Sequence, residues 1–277
     1  CNLASVCLLF YINDNNYQLK GGYAMSKEAG HTFLAKLGKT RLRPGGKEAT
    51  DWLIQQGAFS QDKQVLEVAC NMCTTSIYLA HTYGCHIQGV DINKKALEKA
   101  QENISAAGLE SYIQVQQANA VKLPFDDNQF DIVLNEAMLT MLPITIKEKA
   151  LREYYRVLKP GGILLTHDIV IVNESHATHV VKSLSAAINV NVSPQTKLGW
   201  LDLYNQAGFN HVHYHTGPMS LMTPKGLIYD EGIVGTIKII NNALKKENRP
   251  MFCKMFKTMT KLRKDMNYIT FVAKKEH

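Results

Sequence analysis

The chain has 277 residues, 45% of them apolar and 20% charged, with 18 glycines and 8 prolines. That length buries a sizeable core, and the composition excludes a disordered or fibrous protein. The net charge of +7 is concentrated late: between Thr236 and Lys275 eleven basic residues stand against two acidic ones, a local +9, so the remainder is near neutral at -2.

The first apolar run, Ala4 to Ile12 broken only by Ser5, is too short to span a bilayer and has no basic residue before it, so neither a signal peptide nor a membrane span is expected. Cys1, Cys7, Cys70, Cys73, Cys85 and Cys253 lack the dense spacing of a secreted disulfide scaffold, and a reducing, cytoplasmic setting is expected. An initiator is plausible at Met25, so residues 1–24 read as an N-terminal extension or a remnant of upstream sequence.

Residues 25–63 read as a helical arm or cap. The polar stretch from Ser26 to Lys39 leads into Arg41-Leu42-Arg43-Pro44-Gly45-Gly46, a turn, and then a helical pattern to about Gln56. Residues 64–217 alternate in type. Gln64 to Ala69, His86 to Asp91, Ile113 to Gln117, Phe130 to Asn135 and Gly162 to Asp168 read as strands, with helices over Thr74 to Tyr83, Lys94 to Ala107 and Lys147 to Leu158. This rhythm predicts an α/β fold with a mostly parallel sheet and helices on both faces. A less regular stretch follows Asp168, then a helix over Lys197 to Ala207 and a strand over Phe209 to His215. Residues 218–267 read as a helical lid or dimerisation insert, with helices near Gly232 to Lys246 and from Asn248-Arg249-Pro250. Residues 268–277 hold the final strand, Tyr268 to Ala273, and a tail.

Glu67, Ala69, Cys70 and Asn71 occupy the first strand and its turn into a helix, where backbone N–H groups face a ligand. Asp91 ends the next strand, where a carboxylate receives two ribose hydroxyls, with Ile92 beside it. Asn119 and Ala120 follow the third strand and suit an adenine edge. Together these describe an adenosine pocket. The turn lacks the glycines that let a pyrophosphate approach, which disfavours a nicotinamide cofactor.

These residues resemble the class I S-adenosylmethionine-dependent methyltransferases, the group acting on small molecules and lipids. The resemblance runs from about Arg41 to Ala273. It rests on the Glu67 turn, Val90-Asp91, Ala118-Asn119-Ala120 with Leu123-Pro124-Phe125, Phe130-Asp131-Ile132-Val133, and Arg156-Val157-Leu158-Lys159-Pro160-Gly161-Gly162. It implies a Rossmann-like seven-stranded sheet with an antiparallel last strand, and S-adenosyl-L-methionine as cofactor. It also implies that Glu67 supports the cofactor loop, Asp91 holds the ribose, and Asn119 with Ala120 faces adenine. The family usually has glycines where Ala69, Asn71 and Cys73 stand here, and an acid at Asn119.

The expected chemistry is methyl transfer to a small organic acceptor at oxygen, nitrogen or carbon; a non-catalytic cofactor-binding or interaction protein of the same fold is the alternative. Asn135 and Glu136 follow the fourth strand at the sheet's ligand-binding edge, and the resemblance places them beside the methionine part of the cofactor and the acceptor. Glu136 is a candidate to orient a cationic substrate or accept a proton. His167 is an alternative base, although its neighbour Asp168 points to the opposite face of the strand. Arg41 and Arg43 are candidates for the cofactor carboxylate or an acidic acceptor.

His211, His213 and His215 share one strand face, which reads as a wet edge, and Cys70 with Cys73 lies inside the cofactor turn; no metal is expected. Lys254, Lys257, Lys261 and Lys264 line one face of the insert, against Phe252, Met255, Met259, Leu262 and Met266 on another. That pattern reads as a lid or homodimer-contact helix, with a peripheral anionic membrane as the weaker alternative. Nucleic acid is disfavoured because no aromatic stacking stripe accompanies the lysines.

Overall fold

Short apolar runs, each closed by a polar or small residue, set the parallel strands of this computed structural model, which describes residues 28–276. The expected extension over residues 1–24 lies outside the described residues. The strands β1 (Gln64–Val68), β2 (His86–Asp91), β3 (Ile113–Gln117), β4 (Phe130–Glu136) and β5 (Leu158–Ile171) run parallel. The two-residue β6 (Gln195–Thr196) pairs only with the end of β5. An edge strand, β7 (His211–Pro218), and the last strand, β8 (Met266–Lys274), complete the sheet.

The seven-strand order is β3-β2-β1-β4-β5-β8-β7, and β8 is antiparallel to both of its neighbours. The fold is therefore the Rossmann-like mostly parallel sheet expected, with its helical insertion before the last strand. The chain reverses its direction of progress between β1 and β4. In open α/β sheets that crevice, at the strands' carboxyl ends, is where ligands bind.

Helices cover both faces. On one side lie α2 (Gly46–Gln56), α3 (Thr74–Tyr83) and α4 (Lys94–Ala107), and on the other α5 (Ile144–Val157) and α7 (Lys197–Ala207); α1 (Gly30–Leu37) and α6 (Ala177–Ile188) pack against the insert. Alternation along β1 splits the core: Leu66 and Val68 pack with Tyr154 of α5 and Trp200 of α7, whereas Val65 packs with Leu79 of α3 and Ile104 of α4. The Asn93 side chain accepts from Lys95 N and Ala96 N and starts α4; Gly108, left-handed at φ 67°, stops it.

The insert holds α8 (Pro224–Ala243) and α9 (Arg249–Leu262). The first expected insert helix, Gly232 to Lys246, is longer than read: α8 starts at Pro224, capped by the Thr223 hydroxyl, and bends at Gly232, where φ 69° and ψ 177° interrupt it. Two helices have no range of their own in the sequence expectations, although the first lies within the expected helical arm. The polar stretch before Lys39 contains α1, whose Phe33, Leu34 and Leu37 pack on Leu227, Ile239 and Phe252 of the insert. The irregular stretch after Asp168 contains α6, which buries Val180, Leu184 and Ala187 at helical spacing against the end of β5 and α9. Both are short amphipathic segments whose apolar faces find partners only in distant parts of the chain. Strand ends shift as well: β5 starts at Leu158, the expected end of the helix before it, rather than at Gly162, and β7 starts at His211 rather than Phe209.

His211, His213 and His215 lie on the exposed edge strand β7; His215 stacks on Trp52, and no described residues form a metal-binding group. No helix among the described residues is long and apolar enough to cross a membrane.

Candidate cofactor and acceptor site

The turn from β1 into α3 carries three non-glycine residues in the left-handed region: Ala69 (φ 58°), Asn71 (φ 49°) and Cys73 (φ 58°). Such backbones cost on the order of 1–3 kcal/mol each and persist where surrounding contacts impose them. Those contacts are present. Cys70 N–H donates to the Val90 carbonyl at 3.1 Å, and Asn71 N–H donates to Asp91 Oδ2 at 3.0 Å. Glu67 Oε2 receives Ser76 N–H at 3.1 Å and also the Ser76 hydroxyl, tying the strand to the first turn of α3. Burial pushes the Glu67 carboxyl up to about 7, the Ser76 bonds and Arg43 opposing.

A cavity of about 400 Å³ opens at the carboxyl ends of β1, β2 and β4. Of the expected cofactor residues, Ala69, Asn71, Asp91, Ile92, Asn119 and Ala120 border it. Asp91 Oδ1 receives Asn93 N–H at 2.8 Å, so its carboxylate is aimed by two backbone donors. Asn119 Oδ1 receives Val121 N–H at 3.2 Å. Glu67 and Cys70 instead border an adjoining recess of about 60 Å³, together with Arg43 and Thr74. Asn135 and His167 border neither. Asn135 Nδ2 donates to the Val68 carbonyl at 2.8 Å, while its Oδ1 is buried without a hydrogen-bond partner.

Glu136 borders both spaces. Parallel register sets Glu136 of β4 beside His167 of β5, and Glu136 Oε2 lies 3.2 Å from His167 Nδ1. His167 Nε2 receives Gly45 N–H at 2.9 Å, so the ring carries its proton on Nδ1 and donates to the carboxylate. A side chain at Gly45 would strike the Tyr268 ring, which explains glycine at that approach. Arg43 Nη1 lies 3.0 Å from Glu136 Oε1 and donates to Thr50 Oγ1 at 2.6 Å; its Nη2 donates to Thr75 Oγ1 at 2.6 Å. The Thr50 hydroxyl donates to Glu136 Oε2 at 2.6 Å. Burial works against ionisation, but Arg43, the His167 bond and the Thr50 bond together hold the Glu136 carboxyl down at about 2.

Arg41 goes elsewhere. Its guanidinium donates to the Asp230 carbonyl on α8, and its N–H to Glu231 Oε1 at 3.1 Å. His31, Leu42, Met141 and Ile146 also border the large cavity and were unread in the sequence. His31 and Leu42 carry no motif; they reach the cavity because the arm folds across it. Ile146 stands in the first turn of a helix, a position that chain spacing alone leaves ambiguous.

A sequence profile described as a methyltransferase domain matches residues 65–162, the stretch that builds β1 through β4 and the start of β5. The chain belongs to the class I S-adenosylmethionine-dependent methyltransferase-like family. It is 58% identical over 248 residues to an uncharacterised protein of Haemophilus influenzae, covering 90% of this chain and 98% of that one. It is 29% identical over 189 residues to the methyltransferase GfsG of Streptomyces halstedii, covering 65% and 67%. The solved structure of the [4+2]-cyclase SpnF has the same fold: TM-score 0.69 at 18% identity, covering 88% of this chain and 92% of that one. Within this methyltransferase-like family, the turn after β1 is built here without glycine.

Proposed function

We propose that the chain transfers a methyl group from S-adenosylmethionine to a small organic acceptor. The observation that carries this reading is the acidic, cation-free lining of the large cavity. Asp91 and Glu136 border it, and neither lysine nor arginine does among the described residues. That donor set suits a ligand with ribose hydroxyls and a positive sulfonium, and it opposes a pyrophosphate. Asn119 and Ala120 with Ile92 suit an adenine. The recess beside Arg43 and the N-terminus of α3 suits a carboxylate.

When bound, S-adenosylmethionine supplies a methyl on positively charged sulfur, open to in-line attack. The protein's own residues orient and exclude water. Glu136, pinned by Arg43, Thr50 and His167, stays a carboxylate at neutral pH. Its role is a fixed negative charge rather than proton acceptance. His167 has both ring nitrogens engaged, which makes it a positioning residue for Glu136 and Gly45 rather than a base. The arm over residues 25–63 and the insert over 218–267 are read as the cover, and 64–217 with 268–277 as the core.

Titration calorimetry of the full chain tests this. S-adenosylmethionine and S-adenosylhomocysteine bind at micromolar level, and NADH does not. Asp91→Ala removes the ribose acceptor and weakens both by roughly 10- to 100-fold, the range for losing hydrogen bonds to a charged group. Unchanged affinity in the variant, or binding of NADH alone, contradicts the reading. Lack of any binding favours the alternative of a non-catalytic protein of this fold.

A further inference from the structure

Next to the large cavity lies a second chamber of about 80 Å³, separated from it by a wall that both share: His31, Leu42, Ala137 and Met141. Its far side is made by Leu184 and Ile188 of α6, Val192, Met219, and Met255 with Met259 of α9. Apart from His31, the polar side chains bordering it are Thr140 and Asp168. No lysine or arginine borders it among the described residues.

Asp168 is 2% exposed. Its Oδ2 receives Thr140 N–H at 3.0 Å and its Oδ1 receives Ile169 N–H at 2.9 Å, which leaves lone pairs free on both oxygens. Thr140 Oγ1 is buried beside that carboxylate, the one group it approaches, and reaches no partner at full hydrogen-bond geometry. Buried polar atoms left this way in an apolar chamber mark where a ligand group completes the bonding. Burial raises the Asp168 carboxyl from its ordinary value, the Thr140 and Ile169 bonds and Lys147 opposing.

The rest of the lining decides what kind of ligand. A phosphate or carboxylate needs a cation or several free N–H donors, and the chamber offers acceptors instead. A fully apolar ligand would leave Asp168 and Thr140 unsatisfied. Methionines on the outer wall, unbranched and polarisable, adapt to an apolar body of variable shape. Resting on the methyl-transfer reading above, we infer that this chamber is the acceptor site and selects an uncharged, largely apolar molecule with a hydroxyl that donates to Asp168 and accepts from the Thr140 hydroxyl.

The test is calorimetry of the full chain, loaded with S-adenosylhomocysteine, against four probes that share an ethylphenyl body: 4-ethylphenol, ethylbenzene, 4-ethylbenzoate and 4-ethylbenzylamine. The phenol binds tightest, by roughly ten-fold over each of the others, the value of one hydrogen bond to a buried carboxylate. Asp168→Asn lowers phenol affinity by about the same factor and leaves ethylbenzene and S-adenosylhomocysteine unchanged. Leu184→Trp fills the chamber and abolishes phenol binding while S-adenosylhomocysteine still binds, which covers the case of an Asp168 variant that fails to fold. Equal or tighter binding of the benzoate or the ammonium probe overturns the inference. So does failure of the phenol to bind, or its undiminished binding to the Leu184 variant. If S-adenosylhomocysteine does not bind the wild type, the cofactor reading fails separately, and the probe series without it still decides the chamber's selectivity.

Discussion

Ala69 holds φ at 58° directly after β1, with Asn71 and Cys73 in the same region. A Cβ in that region costs roughly 1–2 kcal/mol, and glycine's greater freedom in the unfolded chain returns about half of it. Ala69→Gly therefore raises stability by about 0.5–1 kcal/mol, a rise in Tm of about 2 °C for a chain this size. Calorimetric melting checks it, and a lower Tm would show that the methyl group packs usefully in the cavity wall. Glu67 carries a second residue-scale consequence. Its carboxyl lies near 7 in the folded protein against 4.5 ordinarily. Between those values the unfolded chain has lost the proton and the folded chain keeps it, so this group's contribution falls as pH rises through that window. Glu67→Gln cannot ionise. Its stability relative to wild type should climb by about 3 kcal/mol between about pH 4.5 and about pH 7. Urea midpoints on either side of that window measure it, and a flat difference would mean that Glu67 stays ionised. Glu136, held down at about 2, acts with the opposite sign and only in acid: its contribution is lost as pH falls from about 4.5 through about 2.

The connection between arm and insert is an ionic clasp between elements far apart in the chain. Lys39 Nζ lies 2.7 Å from Asp230 Oδ2 and 3.5 Å from Glu231 Oε1, with the lysine side chain fully buried. Asp230 Oδ1 receives Lys47 N–H at 2.7 Å, and Glu231 receives Thr40 through both its N–H and its hydroxyl. Gly46, left-handed at φ 58°, leaves room that a Cβ would take from Asp230. Removing one partner of a buried pair strands the other charge, at a cost of about 3–5 kcal/mol. Lys39→Met should therefore lower Tm by roughly 10 °C. A loss under about 2 °C would mean that Asp230 is satisfied by backbone donors alone. The clasp keeps α8 against the segment that also supplies Leu42 and Arg43 to the site, so the element scale sets the shape of the chemistry below it.

Across the whole molecule, much of the core was legible because its signals are local. The βα rhythm, the Asn93 cap and Gly108 stop of α4, and the polar ends of β2 and β4 all lie within a few residues of what they specify. The helices α1 and α6 were not legible: each is short, and its apolar face is explained only by the insert or by the end of β5. At the site, the sequence offered Glu136 and His167 as separate candidates, and only parallel register puts them side by side. Arg43 was a candidate for the cofactor carboxylate or an acidic acceptor, and the arm's fold over the sheet brings it to Glu136. The sequence by itself thus determined the strand order's raw material and the polar residues at each strand end, since period, caps and turns act over a few positions. Tertiary structure alone decided which carboxyl stays charged, which rises, and where the apolar chamber lies. Those depend on burial and on partners across the sheet, and chain spacing carries neither.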